Sequence, residues 1–293
     1  MISNYLALTK PKIIVLLLIT AVGGLFLASD GVPGMVITMS VIIGGSLAAG
    51  GANALNHYID RDIDLKMKRT SNRPVASGTV KPVNALLFGI LLNLVAFGVL
   101  WQWANLISAL LTLSATLFYI FIYTLGLKRR STQNIVIGGA AGSIPPMVGW
   151  AAVTGTVIDP SPIILFAIVF LWTPPHFWAL SLILKDDYAE AGVPMLPVIS
   201  GVQHTKTQIF VYTWILLLLA IVSILLSDKL DVIYGLISIL LSSGFIFMAW
   251  KLRKASNIKL AMPTYLFSML YLALLFMAMV LESLITYENF IKW

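Results

Sequence analysis

The 293-residue sequence contains no cysteine. Disulfides, thiolate-attached haem or iron-sulfur centres and cysteine-type zinc sites are therefore excluded, and any metal must be held by oxygen or imidazole. Charge is also scarce. Asp, Glu, Lys and Arg make up 11% of the residues against 59% hydrophobic ones, and the mean hydropathy is +0.94. So few charges cannot clothe a soluble globule, and lipid has to be the solvent for most of the chain. No small-residue cleavage site precedes a polar mature domain, so the apolar N-terminal stretch is expected to be a retained first span rather than a signal peptide. The formal charge of +7 comes with no basic stripe interleaved with aromatics on a soluble face, which argues against nucleic acid as a partner.

Apolar stretches of about twenty residues, the length that crosses a bilayer core, lie at about 12–29, 35–56, 83–101, 105–126, 133–152, 161–184, 208–227, 231–250 and 264–286. They predict an all-α integral membrane protein with about nine transmembrane helices in one domain, 1–293. Asp30-Gly31, Pro33-Gly34, Pro82, Asp159-Pro160 and Met262-Pro263 supply turn signals between them. With the N-terminus in the cytoplasm, 17 of the 19 Lys and Arg residues fall on the inner side, leaving Lys229 and Lys292 outside. That positive-inside bias predicts a multi-pass protein of the cell membrane with a cytoplasmic N-terminus and an outer C-terminus. Long polar loops at about 57–82 and 185–207 place the chemistry on the cytoplasmic side.

Asn56, Asp60 and Asp64 recur at every fourth position where the second span ends. Each step of four advances about 40° around a helix, so all three project from one side. Two carboxylates and a carboxamide offer only hard oxygen ligands, the set that suits a magnesium ion sharing phosphate oxygens. Ionisable groups at membrane depth mark functional sites. A solvated loop end paired with Arg61, Lys66 and Lys68 is the plain alternative, and the periodicity weighs against it. Downstream, Lys68, Arg69, Thr70, Asn72, Arg73 and Pro74 form a basic, hydroxyl-bearing run. Arginine forks match phosphate oxygens and stabilise charge on a leaving group; Arg73 is the first choice, then Arg69 and Lys68.

The pattern Asn56-x-x-x-Asp60-x-x-x-Asp64 resembles the first aspartate-rich motif of the UbiA-type intramembrane prenyltransferases. The fuller string from Asn56 to Asp64, with Met67 to Thr70 and Asn72-Arg73-Pro74, is similar to the haem-farnesylating branch of that family. So are Gln133 to Gly142 with Pro145-Pro146, and Trp172-Thr173-Pro174-Pro175-His176-Phe177-Trp178. The resemblance implies nine helices in a ring around a central cavity, farnesyl diphosphate and haem B as substrates, and Mg2+ as cofactor. Asn56, Asp60 and Asp64 would then be the metal and diphosphate ligands, Asn134 and Trp172 substrate-facing positions, and haem A synthase or terminal-oxidase assembly proteins the candidate partners. Relatives often carry two aspartates four apart after span 6. Here the acids stand at Asp186, Asp187 and Glu190, so Asp187, and after it Asp186, are the expected counterparts, Asp187 also as a metal ligand.

His176 lies inside an apolar span, where an imidazole needs a partner. On an unbroken helix it stands about 16 Å before Asp187 and about 20° around from it, facing the same cavity at a depth suited to a haem edge or iron. The alternative is a packing histidine bonded to a carbonyl freed by Pro174 or Pro175. Tyr119 and Tyr123, one turn apart, point towards Lys128, Arg129 and Arg130; their faces could shield an allylic cation while Lys128 reaches diphosphate. His57 is expected to be structural, His204 exposed in a loop, and Gly138, Gly139 and Gly142 packing positions. Two rivals remain in view: a UbiA-type enzyme acting on a quinone precursor or other aromatic acceptor, and a membrane transporter, which would place its acids near midplane.

Overall fold

The computed structural model describes residues 2–29 and 31–291, with side chains through 285. Asp30 and Lys292 lie outside them. The described chain contains helices, turns and bends, and no strand. Among the described residues, nine helices are long and apolar enough to span a bilayer: Pro11–Ser29 (span 1), Met35–Ile59 (2), Pro82–Trp103 (3), Leu106–Leu127 (4), Asn134–Thr154 (5), Pro160–Ile183 (6), Val202–Leu226 (7), Val232–Lys254 (8) and Ala261–Ile285 (9). A short helix, Ile2–Thr9, precedes span 1.

Each span packs against the next in sequence, and span 9 returns to span 1, closing a ring. The most extensive contacts across it join span 1 with span 5 and span 9 with span 6, and span 2 also touches spans 4 and 5. The first depends on glycine. A Cβ on Gly149 would sit 1.9 Å from the Ala21 carbonyl oxygen, and one on Gly24 would sit 2.1 Å from that of Pro146. Spans 1 and 5 thus touch backbone to backbone, as small residues permit within a membrane. Both glycines lie in the half of the ring away from the polar loops. A continuous apolar core containing Leu27, Trp150, Leu165, Tyr234, Phe245 and Phe276 fills that half, with Trp172 among its members. What remains for chemistry is the end carrying residues 60–81, 128–133 and 184–201.

Two local features differ from the sequence reading. Span 7 begins at Val202, six residues ahead of the expected 208, and shortens the second polar loop. Its polar first turns are helical because Lys206 is buried there and donates to the Ala255 and Asn257 carbonyls at 2.8 and 2.9 Å, capping the end of span 8. His204 is exposed as expected, though on this helix rather than in a loop. Span 6 is not continuous with the acids that follow it. The helix ends at Ile183, Leu184 adopts φ −99° and ψ 20°, and a separate short helix runs Lys185–Glu190. His176 and Asp187 therefore do not share one unbroken helix, although the Leu184 and Tyr188 amides still bond four residues back at 3.1 Å each. The chain turns so that Tyr188 can bury against Ile63, Met67 and Tyr123.

Candidate active site

Span 2 ends at Ile59, yet the amide of Asp60 still bonds to the Asn56 carbonyl at 2.9 Å and that of Asp64 to the Asp60 carbonyl at 2.8 Å. Four-residue hydrogen bonding thus carries the helical register across the break and keeps the three side chains on one side. All three are buried, Asp60 and Asp64 completely. Buried carboxylates need cations or donors around them, and those come from three separate segments.

The Asn56 amide donates to Asp60 Oδ2 at 2.6 Å. Lys128 donates to the same oxygen. Arg129 approaches Asp60 Oδ1 at 3.6 Å, an ion pair too long for a hydrogen bond. Asp64 accepts from Arg73 through both oxygens, at 2.8 and 2.9 Å. Thr70 ties the loop back by donating to the Asp64 carbonyl at 2.9 Å. At the rim, Arg129 forks onto Asp62 at 2.6 and 2.7 Å, and that bond holds the Asp62 carboxyl below its ordinary value.

A fourth segment contributes a residue that the sequence reading counted only as a charge marker. Lys10 joins the N-terminal helix to span 1 with φ +51°, and its ammonium donates to Asn56 Oδ1 at 3.0 Å. The neighbouring Asn53 amide donates to the Thr9 carbonyl at 3.0 Å and fixes this junction against span 2. Burial, with Arg73 and Lys128 nearby, pulls the Lys10 ammonium down to about 7. Its hydrogen-bond partner is a neutral carboxamide, so no carboxylate balances this group by direct contact when it is protonated, and an arriving anion would hold it in that form. Such a site favours an anion. The only sequence signal for Lys10 was a Lys-Pro pair at the mouth of the first span.

Lys128 reaches Asp60 through an irregularity in span 4. From Phe118 to Leu127 the helix is a π-helix, and the Lys128 amide bonds to the carbonyl of Tyr123, five residues back, at 2.8 Å. The Thr124 hydroxyl donates to the Tyr119 carbonyl, also five residues back, at 2.8 Å, and lies 3.5 Å from the Asn56 amide nitrogen. Inserted π turns cluster at functional sites because they re-aim side chains. Tyr119 and Tyr123 stack with ring centroids 5.5 Å apart, and Gly138 of span 5 leaves room for the Tyr123 ring, since a Cβ there would meet it at 2.3 Å. Asn134 is fully buried, donates to the Lys128 carbonyl at 3.3 Å, and leaves its own Oδ1 without a donor.

Other expected residues lie farther out. Lys68 and Asp186 are exposed, and Asp187 is half-buried. Arg69 is exposed too, but lies against the phenol of Tyr188, whose burial raises its pKa. His57 is buried with neither ring nitrogen partnered. Trp172 and His176 form a second group on span 6, with Tyr265 and Ser268 of span 9.

The UbiA prenyltransferase family model matches residues 17–280. The chain belongs to the UbiA prenyltransferase family. Within it, the chain is 47% identical over 286 residues to the protoheme IX farnesyltransferase of Synechocystis sp., a match covering 96% of this chain and 89% of that one. The UbiA fold is shared with a digeranylgeranylglyceryl phosphate synthase (TM-score 0.77, 18% identity, covering 97% of this chain and 98% of that one). It is also shared with a UbiA homolog from Archaeoglobus fulgidus bound to DMAPP and Mg2+ (TM-score 0.75, 16% identity, covering 94% and 99%).

The UbiA-family site fits a hard divalent cation by its own chemistry. Asp60 Oδ1 is buried and accepts no hydrogen bond, so a strong acceptor faces the cluster unused. No group of three or more acidic or histidine side chains forms a closed cage among the described residues. That matches a magnesium ion, which dehydrates reluctantly and is held by one or two carboxylates plus phosphate oxygens.

Proposed function

We propose that this chain transfers the farnesyl group of farnesyl diphosphate to a vinyl group of haem B, giving haem O and diphosphate. The near full-length identity to a protoheme IX farnesyltransferase supports the acceptor. The observation that carries the donor is the arrangement of Lys10, Arg73 and Lys128 around the buried Asn56, Asp60 and Asp64. A cation-rich ring enclosing hard oxygen ligands suits a diphosphate bound together with a divalent metal.

Mg2+, when bound, neutralises diphosphate charge so that the leaving group can depart. Asn56, Asp60 and Asp64 would hold it, and Asp187 is the candidate from the second loop. Arg73 and Lys128, which neutralise the carboxylates, turn to the phosphate oxygens as substrate enters. Lys10 adds its unbalanced charge. Arg69 and Lys68 extend the positive rim and draw the anion in, with Asp186 beside the second loop. The bond from farnesyl C1 to oxygen breaks, and diphosphate leaves with the electron pair. Tyr119 and Tyr123 present aromatic faces that stabilise the allylic cation. The terminal vinyl carbon bonds to C1, then water adds to the resulting cation and gives its proton to diphosphate. Asn134 orients Lys128, and Trp172 walls the acceptor side.

The same reading puts the site on the cytoplasmic side of the cell membrane, with haem A synthase or terminal-oxidase assembly proteins as the neighbours that would receive the product. The test is chromatography of haem extracted from membranes given haem B, farnesyl diphosphate and Mg2+. A more apolar, farnesylated haem is expected. Its absence, with an aromatic acid prenylated instead, would overturn the acceptor.

A further inference from the structure

Span 6 carries an imidazole that the mechanism above leaves unused. His176 lies seven residues before the polar end of that span, about 10 Å along its axis. Its preceding turn holds Trp172, a member of the sealed core. The next residue, Phe177, packs on the polar-end cluster containing Tyr119 and Tyr123. The imidazole thus sits at the floor of the reactive end, where packed core gives way to site.

Its orientation is fixed on three sides. Trp172 stacks on the ring at 4.1 Å and 21°, and Tyr265 of span 9 at 4.8 Å and 29°. Trp172 is itself pinned by donating from Nε1 to the Ser268 carbonyl at 2.8 Å. His176 Nδ1 lies 2.7 Å from the Ser268 hydroxyl, and that hydroxyl lies 2.6 Å from the Tyr265 carbonyl oxygen.

These two short contacts select a tautomer. A carbonyl can only accept, and a hydroxyl has one proton, so the Ser268 proton goes to Tyr265. Nδ1 must then carry hydrogen and donate to Ser268. The opposite assignment would set the lone pairs of the hydroxyl and the carbonyl against each other across 2.6 Å. Nε2 is left as the basic nitrogen, and no hydrogen bond to it is formed by the described residues. An imidazole whose N–H is anchored while the other nitrogen stays bare is prepared to bind a metal. With no carboxylate or second imidazole in its group, a free ion would find too few ligands. The metal has to arrive already coordinated, as iron does in a porphyrin.

The geometry points to His176 Nε2 as the axial ligand to the iron of the acceptor porphyrin. This rests on haem B being the acceptor. The bond fixes the depth of the macrocycle beside the Tyr119–Tyr123 cluster, and Ser268 acts as a positioning residue that sets the tautomer.

The experiment is a titration of the purified full-length protein in nanodiscs with ferric haem B, without farnesyl diphosphate, read by Soret absorption and electron paramagnetic resonance. Wild type should show an imidazole-ligated haem. His176→Ala should lose that signature, bind haem at least about tenfold more weakly, and regain the spectrum with added imidazole. Both should bind iron-free protoporphyrin IX equally, because no iron–nitrogen bond is then at stake. A wild-type spectrum without histidine ligation overturns the assignment whether or not the variant folds. So does an unchanged spectrum and affinity in His176→Ala. Farnesylation of haem B by the same wild-type preparation is measured in parallel. Its failure would count against the proposed function, whereas activity with no imidazole signature would remove the ligand assignment alone.

Discussion

Lys128 meets Asp60 across 68 residues of sequence because its own backbone amide reaches back five residues, to Tyr123, instead of four. In a regular α-helix each residue sits about 100° from the next, so the same lysine would leave the ring interior. Deleting one lipid-facing residue of the π segment, such as Phe121, should restore α-helical register and turn Lys128 away. Transfer should fall by about 100-fold or more, as displaced catalytic groups usually cause. Steady-state kinetics on membranes matched for protein content would check this; unchanged turnover would separate the π segment from catalysis.

Asp60→Asn keeps the shape and removes the charge on which Lys128 converges. Activity should drop by about 100- to 1000-fold, the range seen when one preorganised electrostatic group is lost, and the magnesium requirement of the residue should rise. Asp64→Asn should act likewise and also release Arg73. Wild-type activity should vanish on chelation with EDTA and return with Mg2+. Retention of transfer in metal-free buffer would exclude the proposed cation.

Lys10→Met preserves the apolar stem and deletes the ammonium that faces Asn56. A charge-assisted hydrogen bond is worth about 1.5–3 kcal/mol, so KM for farnesyl diphosphate should rise by roughly ten- to a hundredfold. KM for haem should stay constant. An equal rise for both substrates would point to a structural role at the junction of the N-terminal helix.

Gly149→Ala should destabilise the fold rather than the chemistry. The added methyl meets the Ala21 carbonyl at 1.9 Å, and overpacking of this kind costs about 1–3 kcal/mol or more. Thermal unfolding in detergent should show a lower midpoint. Gly98→Ala, where nothing lies within 4 Å, serves as the neutral control.

The spans were legible because lipid imposes one strong requirement, long apolar helices with every backbone group satisfied, and that requirement is written in composition. Asn56, Asp60 and Asp64 were legible because their four-residue period survives the end of span 2. The π segment was not, since Phe118 to Leu127 is apolar throughout and a register shift leaves no compositional mark. Lys10 and Ser268 were missed for a related reason. Each matters through a contact with a distant span, and a lone lysine beside a first span or a serine in a ninth carries no periodicity. The turn at Leu184 was hidden because Tyr188 docks on Ile63 and Met67, a tertiary preference that overrides helical continuation.

The backbone contacts of Gly24 with Pro146 and of Gly149 with Ala21 make the bundle a cup rather than a conduit. At that level two helices touch at their main chains and leave no room between them for water. Under the proposed function, diphosphate then leaves through the same end of the ring by which farnesyl diphosphate enters.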